Sequence, residues 1–385
     1  TLVTFSAACF GLAIMAYQRS YPSLGTVMAI IGWIYMVATT WFAVEAAVNE
    51  WSYYAVLSLI LAIQTGCLVV LWTWYRWSFA LLQFFAYTFA VPFGLALTLL
   101  GHPAWDTGWW HVPAWSLYVH LLVALLVAVV AQYREQRPLR DVFALIVLWY
   151  LVILPWLSLN AVFSPALSQH LLAMWYGVYL VGALWAAMVR RSRQTVLVAA
   201  ASFGIVPGYY SLHVLSAEVW EVGVVHSAAL ALVVLVSGAG AIAYIATRTL
   251  PGHPQQKLLT TIRDIYAWVA GIFGVALVWL VSHGLFDNDN IAISISLFTY
   301  VVLGLSAYIY GRIHDERLWR AGGMVLLVGV VARLLIVDVW TLEMTWRVLT
   351  FAGIGILFLG TSFFETNLAR TQSRVVSSED KSGTM

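Results

Sequence analysis

Charged residues are scarce in this sequence. Only 9% of its 385 residues are charged, whereas 62% are hydrophobic, and roughly a quarter of the residues in an ordinary soluble domain are charged. This composition excludes a water-soluble globular protein. The formal net charge is only +2, and there is no basic run with interleaved aromatic residues, which excludes the nucleic-acid-binding class.

Cysteine and the signatures of catalysis are also scarce. The two cysteines, Cys9 and Cys67, both lie within apolar stretches, so neither a disulfide framework nor a cysteine metal site is indicated. The sequence contains no HExxH, Walker glycine loop, GxSxG or CxxC motif. We therefore predict no cofactor and no metal, and we assign no catalytic residue.

Two short segments do combine histidine with aspartate. They are GHPAWD at 101–106 and SHGLFDNDN at 282–290. A metal site that joins both loops is conceivable, but it lacks the tight histidine spacing on one element that is typical of metal sites. The Asn and Asp residues of the second segment are more simply explained as turn and N-cap residues before a helix.

Long apolar runs are what the sequence has in abundance. One bilayer crossing needs roughly 20 apolar residues, and runs of this kind predict an all-α integral membrane domain over 1–365 with about thirteen helices. The predicted spans lie near 1–17, 24–45, 53–75, 78–100, 114–132, 142–161, 170–189, 195–216, 222–247, 264–282, 289–311, 319–340 and 345–364. Residues 366–385 are polar and predict a disordered tail.

The basic residues predict the orientation of these spans. All of the 19 Lys and Arg residues except Arg333 and Arg347 fall in the odd-numbered loops or in the tail, and the even-numbered loops contain none. Because cytoplasmic loops retain Lys and Arg, the C-terminus is predicted to be cytoplasmic. The first residue is not Met and no positive flank precedes the first helix, so either further upstream sequence or a processed N-terminus is expected.

Some residues within the spans predict local features of packing. Pro92, Pro155 and Pro207 predict kinks, and small residues at 237–241 and near Gly355 predict close approach of helices. No internal repeat is evident, which weakens the case for a transporter built from inverted repeats.

Ionisable residues at membrane depth are the main candidates for function, because each is costly unless it is paired or hydrated. Arg333 lies thirteen residues after Arg320, or roughly 20 Å along a helix axis, which places it in the outer half of the bilayer. In an α-helix, Asp338 would point about 140° away from Arg333. Arg333 is therefore expected either to pair with a residue on another helix, such as Glu45, or to extend its side chain outward to the membrane surface.

A second group of candidates lies at the predicted outer side. Arg347 opens the last span there, and seven of the nine histidines fall on or near that side, including His102, His111 and His283. With Arg333, these residues are candidates to bind an anionic or glycosyl headgroup or to relay protons. For the arginines, the alternative is a salt-bridged helical hairpin. For the histidines, the alternative is that the outer loops, which lack Lys and Arg, retain His among their remaining polar residues.

The run RLWRAGGMVLLVGVVARLLIVDVWTLEMTWRVLTFAGIGILFLGTSFF at 317–364 resembles the C-terminal signature of a bacterial family of predicted membrane proteins, domain of unknown function 2339. Proteins of that family show a basic residue before the penultimate helix, a Lys or Arg within it, an acid near its end and an Arg opening a Gly-rich final helix. Here Arg333, Asp338 and Arg347 take the last three places. The resemblance implies an integral bacterial inner-membrane protein and makes this Arg-Asp-Arg group worth testing.

Three classes of function remain open at this point. The first is binding or transport of an anionic or lipid headgroup at the outer side, with membrane lipid as the partner. The second is a non-catalytic scaffold that holds other membrane-protein subunits. The third is an envelope enzyme that uses a histidine and a carboxylate on lipid-linked or periplasmic material.

Overall fold

The computed structural model describes residues 2–48, 50–75, 84, 89–217, 220, 223–338, 343–356 and 359. Every regular element in these ranges is helical, which confirms the all-α class. Two compact units divide the chain, an N-terminal unit of residues 1–208 and a C-terminal unit of residues 209–385. The predicted tail at 366–385 lies outside the described residues.

Fourteen helices run through the described part of the chain. In the first half they are α1 Leu2–Gln18, α2 Pro22–Ala47, α3 Glu50–Tyr75, α4 Ala90–Thr98, α5 Val112–Tyr133, α6 Arg137–Val162 and α7 Pro165–Val189. In the second half they are α8 Gln194–Ser202, α9 Ile205–Leu215, α10 Ser227–Thr249, α11 Gln256–Leu285, α12 Asp289–Ile313, α13 Arg317–Arg333 and α14 Met344–Ile356. A short 3-10 helix, Pro103–Thr107, precedes α5, and a π-helical turn, Leu334–Asp338, extends α13.

The lengths and compositions of these helices confirm a multi-pass membrane protein. Within the described residues, ten candidate spans are long and apolar enough to cross a membrane, and α1 and α14 are shorter apolar helices. Residues 78–83 and 85–88 of the predicted span 78–100 lie outside the described residues, and α4 forms part of the remainder. The total of thirteen spans and the cytoplasmic C-terminus therefore remain predictions.

One predicted span is broken in the structure. The stretch predicted as a helix at 195–216 forms α8 and α9, which are separated at Phe203 and Gly204. Because Pro207 has no N–H, it cannot donate to the carbonyl of Phe203, and the helix is interrupted at this point. The two helices together still make one candidate span, Gln194–Leu215.

The helices repeat along the chain, contrary to the expectation from sequence. A shift of 115 residues moves 22–47 onto 137–162, which are the bounds of α2 and α6. The same shift moves 112–133 onto 227–248, and α10 occupies Ser227–Thr249. We define the first repeat as 1–111, the second as 112–226 and the third as 227–343.

Contacts between helices support this division into repeats. The first two helices of each repeat pack against each other, as α1 with α2, α5 with α6 and α10 with α11. A later pair also packs together in the second repeat, as α7 with α8, and in the third, as α12 with α13. The repeats escape notice in the sequence because apolar residues replace one another freely within membrane spans.

The hydrogen bonds between α6 and α7 compensate for a proline in the membrane. Pro155 lies within α6 and cannot donate to the carbonyl of Leu151. The indole Nε1 of Trp175 donates to that carbonyl at 3.0 Å, and the hydroxyl of Tyr176 donates to the next one, on Val152, at 2.7 Å. Side chains of α7 thus bond carbonyls of α6 beside the proline, as lipid surroundings require.

Replacing Tyr176 with Phe is expected to destabilise the protein by about 1 kcal/mol, because the carbonyl of Val152 then loses a buried donor. Thermal unfolding in detergent measures the change. Tyr133→Phe is the matched control, because Tyr133 is 82% exposed. Equal midpoints for the two variants would contradict this role of the Tyr176 hydroxyl.

Glycine allows α12 and α13 to approach closely. A Cβ atom at Gly323 would lie 2.5 Å from the carbonyl oxygen of Gly304 and 2.6 Å from the backbone nitrogen of Tyr308. Of the glycines predicted to allow close packing, Gly240 and Gly355 have open space around a Cβ position, whereas a Cβ at Gly353 would lie 3.8 Å from the ring of Phe298. The close approach of α12 and α13 therefore depends on glycines that lie on the facing sides of the two helices.

Asp141, near the start of α6, forms two salt bridges, one of them with Arg193, the residue before α8. The carboxylate of Asp141 lies 2.6 Å from Nη2 of Arg140 and 3.2 Å from Nε of Arg193. Only 8% of the Asp141 side chain is exposed. The third repeat carries the same Arg-Asp pair at Arg263 and Asp264, with Nε and Oδ1 2.8 Å apart.

Candidate functional site

Arg333 is the last residue of α13, and its side chain lies on an aromatic ring of α11. The guanidinium carbon is 3.9 Å from the centroid of the Trp279 ring, which is a close cation–π contact. The ring of His283 lies 3.9 Å from that of Trp279, centroid to centroid, and His283 Nδ1 donates to the Trp279 carbonyl at 2.9 Å. Of the residues predicted from sequence, the structure thus brings Arg333 and His283 to one indole.

A cavity of about 610 Å³ lies beside Arg333 within the C-terminal unit. Residues of α9, α11, α12 and α13, with Arg333, line it: Leu215, Ile272, Val275, Ala276, Trp279, Leu280, Leu297, Tyr300, Val325, Leu326, Gly329 and Val330. The hydroxyl of Tyr300 donates to the carbonyl of Val275 at 2.6 Å. Among the described residues that line the cavity, Arg333 is the only charged one.

The apolar part of the cavity forms a groove along α11 and α13. Its lining extends on α13 from Arg333 back to Val325, and on α11 from Trp279 back to Ile272. At 1.5 Å per residue, these distances are about 12 Å and about 10 Å. Ile272 is 63% exposed and Val325 is 58% exposed, so the groove is open along the side of the helices.

Of the other predicted residues, Arg347 and Glu45 lie elsewhere in the described structure. Arg347 lies in the first turn of α14, where its N–H donates to the carbonyl of Glu343 at 2.9 Å. Glu45 is exposed on α2 in the N-terminal unit. Asp338 ends the π-helical turn, and its side chain lies outside the described part of the structure.

The π-helical turn corrects the predicted geometry of Arg333 and Asp338. A continuous α-helix, as expected from the sequence, places them on different faces. Hydrogen bonds in a π-helix join residues five apart, and the turn begins directly after Arg333. The backbone therefore brings positions 333 and 338 nearer to one face than an α-helix would.

Two of the predicted histidines are helix caps. His102 Nδ1 accepts a hydrogen bond from the N–H of Ala104 at 3.1 Å, before the 3-10 helix. His111 Nδ1 accepts from the N–H of Ala114 at 3.1 Å, before α5. Sequence reasoning missed these roles because Ser, Thr, Asp and Asn are the usual N-cap residues.

The cap at His111 belongs to a larger motif. The Nε1 of Trp105 donates to the carbonyl of Leu99 at 3.0 Å, and the Trp105 ring meets the His111 ring edge-on with centroids 4.5 Å apart. Gly108, between them, has a φ of +124°, which glycine adopts without strain. We call this arrangement, with the sequence Trp-acid-x-Gly-x-x-His at 105–111, the Trp-His clasp.

The second repeat contains the same clasp 115 residues later, at 220–226. Trp220 Nε1 donates to the Val214 carbonyl at 2.8 Å, and the Trp220 and His226 rings lie 4.4 Å apart. His226 Nδ1 accepts from the N–H of Ala229 at 3.1 Å, and Gly223 has a φ of +141°. The duplicated motif was the signal in the sequence that could have revealed the repeats.

The clasp predicts a pH dependence of stability. Burial lowers the pKa of His111 below its usual value of 6.5, and only the neutral ring can accept the capping hydrogen bond. A lowered folded-state pKa means that this contribution is present above about 6.5 and is lost as the pH falls through the folded value. Thermal midpoints measured between about pH 7.5 and about pH 4.5 are therefore expected to fall less in His111→Asn, whose cap does not titrate.

The exposed histidine at the end of α12 provides a control for this prediction. His314 directly follows α12, its ring is exposed, and its Nδ1 donates to the carbonyl of Tyr310 at 3.1 Å instead of accepting from a helix N–H. His314→Asn is expected to retain the pH dependence of the wild type. If His111→Asn shows the wild-type pH dependence, the His111 cap is not the cause of the pH dependence of stability.

A buried network in the N-terminal unit contains a Ser-His pair that sequence reasoning did not identify. Ser58 Oγ lies 3.3 Å from His120 Nε2, and His120 Nδ1 donates to the carbonyl of Ser116 at 2.6 Å. This order resembles a nucleophile, a base and an orienting group. All three residues are fully buried, so a substrate has no access, and the network is structural.

The two His-Asp segments do not form a recognisable metal centre in the described residues. No group of three His, Cys, Asp or Glu side chains there has the arrangement of a metal site. The predicted turn role of the second segment is confirmed, because Asn288 caps α12 by accepting from the N–H of Asn290 at 2.9 Å.

Comparison with known proteins places these features in context. The model of the family described as Predicted membrane protein (DUF2339) matches residues 1–368. The match therefore includes all the described helices and is not limited to the C-terminal signature. Neither curated proteins nor solved structures gave a match.

Proposed function

The chain belongs to the family Predicted membrane protein (DUF2339), and from this premise we propose that it binds an anionic headgroup at Arg333. We place this site in a bacterial inner membrane, on the side predicted to face outward. Arg333 is the anion contact, and His283 lies at the rim of the site. The contact between Arg333 and Trp279 beside the cavity is the observation that carries the proposal.

The chemistry of the guanidinium group supports an anionic ligand. Trp279 covers one face of the group, whereas the N–H donors lie in its plane and match the oxygens of a phosphate or carboxylate. A charged residue at membrane depth usually marks a ligand or ion site. Because Arg333 is the only charged residue in the described part of the cavity lining, its positive charge favours an anion.

Ligand-induced stabilisation tests the proposal. The wild type in a neutral detergent is expected to unfold at a higher temperature when phosphatidylglycerol or glycerol phosphate is added, since a ligand that binds the folded state stabilises it. Arg333→Leu is expected to weaken this response at least tenfold in ligand concentration. The response is measured as the shift in unfolding midpoint over a ligand titration.

Arg248→Leu is the matched control. Arg248 also lies over an aromatic ring, at 5.3 Å from the centroid of Tyr244, but it does not line the cavity. This variant removes the same charge and is expected to respond as the wild type does. Equal responses of the two leucine variants would contradict a specific site at Arg333.

A scaffold role is the second candidate, and the use of polar groups within the fold favours it. His102, His111 and His226 cap helices, which leaves them fewer donors and acceptors for a ligand. A scaffold is expected to purify with a stoichiometric membrane-protein partner in mild detergent. It is also expected to show no stabilisation by either anionic probe.

A further inference from the structure

The polarity of the Arg333 cavity changes along its length. At one end lie Arg333 and the indole of Trp279, and the groove that continues from them is lined by aliphatic residues of α11 and α13. A cavity of about 610 Å³ is of the size that accommodates a drug-sized molecule, far larger than a single phosphate group. A small soluble anion would contact Arg333 and leave most of the lining unused.

Glycine leaves space in the middle of this groove. Gly329 lies one turn before Arg333 on α13 and lines the cavity, and a Cβ atom built on it would meet nothing within 4 Å. The backbone of α13 is thus accessible to a ligand at this point. An extended hydrocarbon chain is the ligand shape that fits an open apolar groove about 12 Å long.

The open side of the groove is suited to entry from the lipid. Ile272 and Val325, which line its far end, are more than half exposed. Exposed aliphatic side chains on membrane-spanning helices face hydrocarbon. A molecule that already lies in the membrane can therefore reach the groove with its chain, whereas a soluble anion approaches only from water.

The third repeat differs from the first two at the end where Arg333 lies. Thirteen residues, 99–111, connect α4 to α5, and eleven, 216–226, connect α9 to α10, and both connections contain a Trp-His clasp. In the third repeat only residues 339–343 lie between the π-helical turn and α14, and their sequence, VWTLE, contains no clasp motif. The sequence next to Arg333 therefore lacks the clasp motif that follows the corresponding helices of the first two repeats.

From these observations we infer that the ligand at Arg333 is an anionic membrane lipid, with its headgroup on Arg333 and one hydrocarbon chain in the groove between α11 and α13. The inference rests on the proposed function and narrows its ligand from an anion in general to an amphiphile. A soluble phosphate carries the same kind of anionic group as the lipid headgroup, so it can also bind Arg333, but weakly. The apolar groove is what favours the lipid.

Filling the groove without removing Arg333 tests the inference. Gly329→Leu adds a side chain where the groove is open, and Gly322→Leu makes the same change two turns earlier on α13, where a Cβ also meets nothing within 4 Å and which does not line the cavity. Val325→Trp provides a second way to fill the groove. The probes are phosphatidylglycerol, glycerol phosphate and zwitterionic phosphatidylcholine, each titrated in neutral detergent while thermal unfolding is followed.

Wild type and Gly322→Leu are expected to respond to phosphatidylglycerol at a concentration at least tenfold below that needed for glycerol phosphate. Gly329→Leu or Val325→Trp is expected to lose that advantage while its response to glycerol phosphate is unchanged. If both filled variants keep the lipid preference, or if the two anionic probes act equally on the wild type, the inference is wrong and the proposed function stands. If neither anionic probe acts, or if phosphatidylcholine acts as well as phosphatidylglycerol, the proposed function fails as well.

Discussion

Replacing Gly323 with Leu is expected to lower the free energy of unfolding by more than about 3 kcal/mol, because the added side chain must force α12 and α13 apart. The new Cβ would lie 2.5 Å from the carbonyl oxygen of Gly304 and 2.6 Å from the backbone nitrogen of Tyr308. Backbone atoms of a packed helix cannot rotate away as a flexible side chain can. Overpacking usually costs about 1–3 kcal/mol, and contact with backbone raises this cost.

The same change is expected to disturb the candidate site. Arg333 lies ten residues after Gly323 on α13, so a displaced helix moves the guanidinium away from Trp279. Thermal unfolding in detergent measures the loss of stability, and a titration with phosphatidylglycerol measures the loss of binding. Gly322→Leu is the control, because this neighbouring glycine has open space around its Cβ position. Similar midpoints for the two variants would show that the glycine crossing is not tight.

Asp141→Asn is expected to produce the second large effect, a loss of about 2–3 kcal/mol. The carboxylate is almost fully buried and lies against Arg140 and Arg193, and removal of one partner from a buried ion group usually costs about 3–5 kcal/mol. The side chain of Arg193 is 54% exposed, so water compensates for part of the lost interaction. The expected loss is therefore below the full range.

The third repeat supplies a control for this variant. Asp264 pairs with Arg263 in the same way, but its side chain is 41% exposed. Asp264→Asn is expected to cost about 1 kcal/mol or less, as is typical of exposed ion pairs. Chemical or thermal unfolding of both variants measures the difference. If Asp264→Asn is as destabilising as Asp141→Asn, burial does not determine the strength of these pairs.

The helical architecture could be predicted from the sequence because a bilayer crossing requires a long apolar run. The predicted span at 195–216 is interrupted before Pro207, because proline lacks a backbone N–H donor. Arg333 could be selected because ionisable residues at membrane depth are few and costly, and His283 because it is one of the histidines near the predicted outer side. Trp279 could not, because many tryptophans lie at span ends, and the sequence does not show which indole faces the arginine.

Other features of the site depended on backbone geometry that sequence periodicity does not contain. The π-helical turn after Arg333 changes which face Asp338 occupies, and a hydrophobic pattern does not distinguish it from an α-helix. The helix-capping roles of His102 and His111 depend on how each ring turns toward the next helix. The clasp, in contrast, was present in the sequence as two copies of one seven-residue pattern, which only the matching helix bounds made evident.

The repeats relate the fold to the proposed site. In the first two repeats the Trp-His clasp connects the end of one helix to the start of the next. The third repeat has a shorter connection and places an arginine on an indole at that end. The clasp motif thus occurs at this end in the first two repeats and is absent from the sequence of the third, where the proposed lipid site lies.

A structure of the protein in lipid nanodiscs that contain phosphatidylglycerol tests this account most directly. The account predicts headgroup density within hydrogen-bond distance of Arg333, with a hydrocarbon chain continuing past Gly329 toward Val325. A groove without lipid, in which the guanidinium is paired with the carboxylate of Asp338, would contradict the account and favour a scaffold.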